Sequence, residues 1–434
     1  MTQIPILTGK FIIKLSEATK KGAGSTWPGH VALKINSKLI QNLFQGNPQL
    51  DIILVAGTNG KTTTTKLLHE VLTKQGKKVF RNDTGANLLN GIASTLLKNS
   101  SINGNIPYDI AIFEVDENSL PLFISDLSEV KNKISLILLN LFRDQLDRYG
   151  EVNSIAKKWH SSLKTLPKET ILVINGDDPM LRFIGENCSL HSFYFGLSEK
   201  YMKKKETPHD VDFLYCPHCG TELVYLKRSY SHMGIFNCPK CNFKHTKTAV
   251  FDSLPNPMLG IYNRYNTNAA ALLLQKAYGL DISTLSEILN KFSPAFGRQE
   301  KIIYKGQEIF LLLSKNPTSF NQSLEAILER DKHPNIMLLL NDKVPDGHDI
   351  SWIWDVEFES LKYANNIIIS GDRVFDMAIR IKYADISVFT PVRDIAKALD
   401  TSLNMTKKNK TLYVLATYSA MLEIRKLLKG QAIL

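Results

Sequence analysis

Residues 51–76 read DIILVAGTNGKTTTTKLLHEVLTKQG. After Asp51 the run to Ala56 is apolar without a break, the pattern of a strand buried on both faces. From Lys61 onward the apolar residues recur at helical spacing. Between them lie Gly57 and Gly60. Glycines let backbone N–H groups approach phosphate oxygens closely, and the start of a helix adds its dipole. Strand, glycine loop and helix in this order predict a nucleotide phosphate site at Gly57, Thr58, Asn59, Gly60, Lys61, Thr62 and Thr63. Lys61 is expected to bridge the β- and γ-phosphates of ATP, and the Thr62 hydroxyl to meet Mg²⁺. The loop is shorter than the usual P-loop, because the residue five places before Gly60 is Val55.

The same alternation continues outward. KKVFR (77–81), DIAIFEV (109–115), ISLILLN (134–140) and TILVIN (170–175) are short apolar runs separated by helix-like stretches, the signature of a parallel sheet covered on both faces. After FGRQE (296–300) a second series begins with EIFLLL, NIMLLL, NNIIIS, ISVFT and TLYVLA. The expected organisation is a segment 1–49, an ATP-binding domain 50–297 and a smaller Rossmann-like α/β domain 298–434. An apolar fraction of 44% suits a folded soluble protein. The net charge of +11 fits nucleic acid, an anionic membrane or anionic substrates. Its lysines are scattered rather than blocked, so nucleic acid is not the expected partner. No run approaches the about 18 apolar residues of a membrane span, and the N-terminus lacks a signal-peptide pattern, so a cytoplasmic location is expected. Phe11, Ile12, Ile13 and Leu15 read as a helix packing on the core, with a membrane contact as the weaker alternative.

Cys216, Cys219, Cys238 and Cys241 form two C-x2-C pairs separated by 18 residues. Four thiolates at this spacing predict a closed, structural Zn²⁺ site in an insertion spanning 210–247. So short a piece cannot bury enough core by itself, and the metal supplies the missing folding energy. His218, His232 and His245 are expected at the surface, because four sulfurs already fill the site. Cys188 reads as a small buried apolar residue. Zinc ribbons also bind nucleic acid, which stands as the rival reading of this insertion.

GTNGKT (57–62) resembles the loop of the Mur ligase and folylpolyglutamate synthetase superfamily. NDTGAN (82–87), FEVDE (113–117), NLFRDQLDRYG (140–150), NGDDP (175–179), GIYNRYNTNAA (260–270) and FGRQE (296–300) resemble its further motifs in order. The resemblance implies a Mur-ligase-type central domain, Glu114 as a Mg²⁺ ligand, and Asn263, Asn266 and Arg298 at the nucleotide. Gln145 stands where the superfamily usually has histidine, and neither Lys157 nor Lys158 aligns with its carbamylated lysine. Phosphoryl transfer onto a carboxylate, making an acyl phosphate that an amine attacks, is the chemistry implied.

The ribbon, LLLSKNPTSFNQSL (311–324) and LLLNDKVPDGHDISWIWDVEFE (338–359) resemble the MurT branch of that superfamily. This implies amidation of the α-carboxylate of D-isoglutamate in the lipid II stem peptide, at the cytoplasmic face of the membrane. Ammonia would come from a GatD-type glutaminase partner, because the chain offers no Cys–His nucleophilic pair of its own. Asp349 would complete the partner's catalytic triad. Judged on its neighbours alone, Asp349 reads as a helix N-cap. Asp346 reads as a turn acid before Gly347, and Trp352 and Trp354 as packing or interface anchors. The stretch DGHDISWIW (346–354) is expected to lie apart from the ATP site. A stand-alone Mur-type amino-acid ligase and a nucleic-acid-binding ATPase are the alternative functions.

Overall fold

The computed structural model describes residues 3–19, 26–82, 85–144, 152–203, 207–292 and 298–430. Gln145, the Asp83–Thr84 pair of the second loop motif and the Phe296–Gly297 part of FGRQE lie outside them.

Three helices open the chain: α1 (Gln3–Thr19), α2 (Trp27–Ile35) and α3 (Leu39–Gln45). The central domain then alternates β1 (Asp51–Ala56), α4 (Lys61–Lys74), β2 (Val79–Arg81), α5 (Leu89–Asn99), β3 (Ile110–Val115), α6 (Ser119–Leu127), β4 (Ile134–Leu138), α7 (Val152–Leu163), β5 (Ile171–Asn175), α8 (Pro179–Glu186) and β6 (His191–Phe195). The strands form one sheet in the order β2-β3-β1-β4-β5-β6, parallel throughout. Alternate residues of β1 serve opposite faces. Ile52, Leu54 and Ala56 pack with α1–α3 and α5–α8. Ile53 and Val55 pack with α4 and with two later helices, α9 (Ile261–Tyr278) and α10 (Ile282–Leu289). The topology reverses direction beside β1, so the crevice at its carboxyl end is where an open α/β sheet binds ligands.

Between β6 and α9 the chain forms a two-stranded antiparallel ribbon, β7 (Val224–Tyr230) and β8 (Met233–Asn237). The C-terminal domain contains β9 (Arg298–Tyr304), β10 (Gln307–Leu313), α11 (Pro317–Arg330), β11 (Asn335–Leu339), β12 (Asn366–Ser370), α12 (Val374–Tyr383), β13 (Thr390–Pro391), α13 (Ile395–Met405), β14 (Leu412–Ala416) and α14 (Tyr418–Lys429). Its sheet runs β13-β12-β11-β14-β10-β9, with only β9 antiparallel to its neighbour.

Two strands were not anticipated, β6 and β9. ISVFT (386–390) contributes only Thr390 to a two-residue edge strand ending in Pro391. Proline has no N–H to extend a ladder, and Val388 is 74% exposed. ISWIWDVEFESL folds not as one α-helix but as two 3₁₀ turns, Ser351–Asp355 and Phe358–Leu361.

Candidate active site

β1 ends at Ala56, before Gly57, whose φ of +145° suits glycine, and α4 begins at Lys61 after Gly60 at φ +92°. The loop is held from the neighbouring β4 side. Asn140 Oδ1 accepts from Asn59 N at 2.8 Å, and Asn140 Nδ2 donates to Asn59 O at 2.9 Å. Thr58 Oγ1 donates to Phe142 O at 3.2 Å and accepts from Phe142 N at 3.0 Å. Lys61 is buried, its Nζ 2.5 Å from Gly57 O and 3.3 Å from Glu117 Oε2. Burial disfavours its ammonium, but Glu117, followed by Glu114, Asp116 and Asp144, outweighs this and holds its pKa above the ordinary lysine value. Thr62 Oγ1 donates to Glu114 Oε2 at 2.7 Å. Asn82 fixes the Glu114 backbone through bonds of 2.9 Å to its N–H and its C=O. Asp144 pairs with Lys315 through one oxygen, while its Oδ1 is buried with no hydrogen-bond partner among the described residues. The Thr62 hydroxyl and the Glu114 carboxylate are oxygen donors of the kind a hard divalent cation prefers.

The C-terminal domain closes over this loop. An open cleft lies between Asn59, Gly60 and Thr63 on one side, Tyr262, Asn263 and Asn266 of α9 on a second, and Leu312, Thr318 and Gln322 on the third. Asn266 Nδ2 donates to Asn263 Oδ1 at 3.1 Å, and Asn263 Nδ2 to Leu259 O at 2.7 Å. Asn316 Nδ2 lies 3.4 Å from Asn59 Oδ1, so LSKNP touches the phosphate loop directly. Beyond that contact opens a second cavity, lined by Arg143, Asp144, Lys315, Asn316, Asp349 and Trp352 among others. DGHDISWIW thus contributes Asp349, Ser351 and Trp352 to this second cavity and no lining residue to the one over the phosphate loop. The peptide following β11 folds back toward the central domain, and Arg143 Nη1 ties it there by an ion pair of 3.1 Å to Asp355. Asp349 Oδ1 accepts from Ser351 N at 2.8 Å, an N-cap-like turn that leaves the carboxylate half-exposed.

In the ribbon the four cysteine sulfurs lie within 4.8 Å of one another. Cys216–Cys241 and Cys219–Cys238 are 3.6 and 3.5 Å apart. The edge of a tetrahedron with metal–sulfur bonds of about 2.3 Å is about 3.8 Å, so the arrangement fits one tetrahedral ion. Residues 55–274 match the family model of the Mur ligase middle domain and residues 313–421 that of the MurT ligase C-terminal region. The chain is 31% identical to the MurT subunit of lipid II isoglutaminyl synthase (glutamine-hydrolyzing) from Streptococcus pneumoniae, over 96% of this chain and 94% of that one. It belongs to the MurT family of Mur ligases. The Staphylococcus aureus (strain COL) MurT subunit is 29% identical, over 93% of each chain. Among solved structures, a pseudomurein peptide ligase type C from Methanothermus fervidus superposes with a TM-score of 0.63 at 21% identity, covering 88% of this chain and 79% of that one. A crystal structure of MurF from Acinetobacter baumannii gives 0.64 at 17%, covering 91% and 79%. These share the fold. No described helix of this MurT-family chain is long and apolar enough to cross a membrane.

Two histidines expected at the surface are instead where the ribbon docks. His232 is fully buried, with Nε2 3.4 Å from Asp178 Oδ2 and its ring 4.8 Å from Phe142 and 4.9 Å from Phe213. Asp177 Oδ1 accepts from His245 Nε2 at 2.9 Å, while its Oδ2 accepts from Tyr265 OH of α9 at 2.7 Å. Burying the two acids of NGDDP requires partners, and the ribbon supplies them. Only His218 is exposed as expected. Arg143 also pairs with Asp212, at the foot of the ribbon. Neither Asp177 nor Asp178 was singled out beforehand as a tether. The signal available was a pair of acids in a turn of an otherwise apolar region.

Glu114, Asn263 and Asn266 surround the phosphate loop. Arg298 opens β9, and the next residue, Gln299, bonds Leu259 and Tyr262. Lys157 and Lys158 are exposed on α7, and Lys157 lines a separate cavity with Phe183 and Pro217. Cys188 is half-buried, within 3.4 Å of Ser192 Oγ. Asp346 is a turn acid with a further role, because its carboxylate accepts from Ser419 N at 2.8 Å in the first turn of α14. Trp352 is half-buried against Phe320, whereas Trp354 is 49% exposed beside Tyr383.

Proposed function

We propose that this chain is the synthetase subunit of a lipid II isoglutaminyl synthase: it activates the α-carboxylate of D-isoglutamate in the lipid II stem peptide with ATP and delivers ammonia to it. The observation that carries the reading is the junction of the two cavities. The phosphate loop with its Thr62–Glu114 pair and the Asp349 pocket meet at the Asn59–Asn316 contact.

ATP would occupy the cleft between Asn59, Asn263 and Thr318, with its phosphates on the Gly57–Thr63 loop. Thr62 and Glu114 would hold Mg²⁺, which when bound neutralises phosphate charge. A carboxylate oxygen of the acceptor attacks the γ-phosphorus and the bond to the β–γ bridging oxygen breaks, giving ADP and an acyl phosphate. Lys61 and the N–H groups at the start of α4 offset the charge gathering on the phosphoryl oxygens. Ammonia then attacks the acyl carbon, phosphate leaves, and a proton is lost to yield the amide. At neutral pH free ammonia is mostly ammonium and not nucleophilic, so local release is needed. A GatD-type glutaminase would supply it, with Asp349 orienting the partner's histidine. The exposed Trp354, five residues after that acid, with the exposed Tyr383 ring against it and Ile379 exposed one turn earlier on α12, supports a protein partner. Zn²⁺ is the ion proposed for the four cysteines, in a structural role.

The decisive measurement uses Asp349→Asn in the reconstituted complex. Glutamine hydrolysis and glutamine-dependent amidation should fall at least about a hundredfold, while amidation driven by added ammonium chloride persists. Amidation by the wild-type chain alone, with glutamine as sole nitrogen source, would overturn the two-subunit reading.

A further inference from the structure

α1 is amphipathic in a way the core does not use up. Its inner face is fixed: Ile6 is buried, Gly9 is so close to α5 that a Cβ there would lie 2.5 Å from Leu97, and Lys10 Nζ donates to Leu97 O at 2.8 Å. Of the four residues expected to pack on the core, Ile13 does and Ile12 is half-buried, whereas Phe11 and Leu15 are exposed, which corrects that expectation. On the outer face Ile4 is 66%, Leu7 49% and Phe11 67% exposed. At steps of three and four residues these form one stripe, and Lys14, also exposed, continues it by three. Next to this helix, Ile102 is 58% exposed in the loop whose Gly104 lies against Ile6. The helix cannot roll to hide the stripe, because Lys10 and Gly9 lock its opposite side.

Charge says what covers it. The first 50 residues contain Lys10, Lys14, Lys20, Lys21, Lys34 and Lys38 against the single acid Glu17, a net charge of +5. An exposed apolar stripe continued by Lys14, in a segment with a single acid and a positive net charge, matches an anionic bilayer surface, where the apolar side chains enter the headgroup boundary and an ammonium group meets lipid phosphates. We infer that the outer face of α1 docks this chain on an anionic membrane through Ile4, Leu7 and Phe11, with Lys14 at the headgroups. The inference deepens the proposed function and rests on it for its purpose: a lipid-linked acceptor is held at the same surface as the enzyme.

Purified full chain is sedimented with vesicles of phosphatidylglycerol and phosphatidylcholine, and with vesicles of phosphatidylcholine alone. Binding is expected on the anionic vesicles, weakening as salt is raised. Leu7→Ser/Phe11→Ser should lower the partition at least about tenfold, and Lys14→Glu less. Both side chains of the pair are largely solvent-exposed, so the melting temperature should not move. No binding to anionic vesicles, or equal binding by the double variant, overturns the inference. So does a wild-type dimer that the double variant splits, since a second copy would then cover the stripe. ATP hydrolysis with a water-soluble stem-peptide acceptor keeps the two readings apart. The double variant should retain it in full, and its loss in the wild type would count against the proposed reaction rather than the docking face.

Discussion

His232→Ala tests whether the ribbon holds the phosphate loop in place. The ring is wholly buried between Phe142 and Phe213 and lies against Asp178. Truncating a large buried aromatic costs about 3–5 kcal/mol; the smaller imidazole sits at the low end. Removing a partner from a buried carboxylate adds about 1 kcal/mol. That increment stays small because Asp178 keeps the N–H groups of Leu141, Met180 and Leu181. A total near about 4 kcal/mol corresponds to a fall in melting temperature of roughly 10 °C for a domain of this size. The second consequence is on ATP. Phe142 exchanges two hydrogen bonds with Thr58, and Asn140 two with Asn59. Loosening that strap by about 1.4 kcal/mol weakens ATP binding about tenfold. Scanning calorimetry and titration calorimetry with ATP read the two effects, and His232→Phe, which keeps the packing, should recover most of both. A His232→Ala protein that melts within 2 °C of wild type, roughly the effect of under 1 kcal/mol, and binds ATP normally would refute the coupling.

Gly60→Ala should abolish ATP binding, because φ is +92° and the new Cβ would lie 2.1 Å from Asn266 Oδ1; titration calorimetry showing near-normal affinity would refute this placement of Asn266. Asp210 gives a pH dependence. Burial pushes its carboxyl up to about 6 from 3.8, only partly offset by a hydrogen bond from Thr318. The folded state thus holds the proton more tightly than the unfolded chain, so stability falls as pH rises from about 4 to about 6, by up to about 3 kcal/mol. Asp210→Asn should remove that slope and raise the melting temperature at pH 8, as measured by thermal unfolding across pH.

What could be read beforehand was what nearest neighbours encode. The β1–loop–α4 unit and the cysteine pairs depend on residues a few positions apart, and each took the expected shape. The five early apolar runs became strands because their burial on both faces leaves no other use for them. What escaped depends on partners far along the chain. His232 and His245 look like spare polar residues near a filled metal site until Asp178 and Asp177, 54 and 68 positions earlier, are seen beneath them. Trp352 and Trp354 read alike by composition, yet the 3₁₀ turn sends one against Phe320 and leaves the other exposed. The likeness of DGHDISWIW to its family motif was informative about kinship but not about distance. Only the fold-back onto Arg143 brings Asp349 to the edge of the nucleotide cleft.

Asp178 has one more consequence. One carboxylate caps α8 through Met180 and Leu181, pins the Leu141 backbone and faces His232. Three jobs that could have gone to three residues share two oxygens. Their energies are therefore not independent, and a double-mutant cycle pairing Asp178 with His232 will report a coupling of about 1 kcal/mol. A lineage that lost the ribbon would release this acid from one task only, and the cap and the strap would still keep it in place.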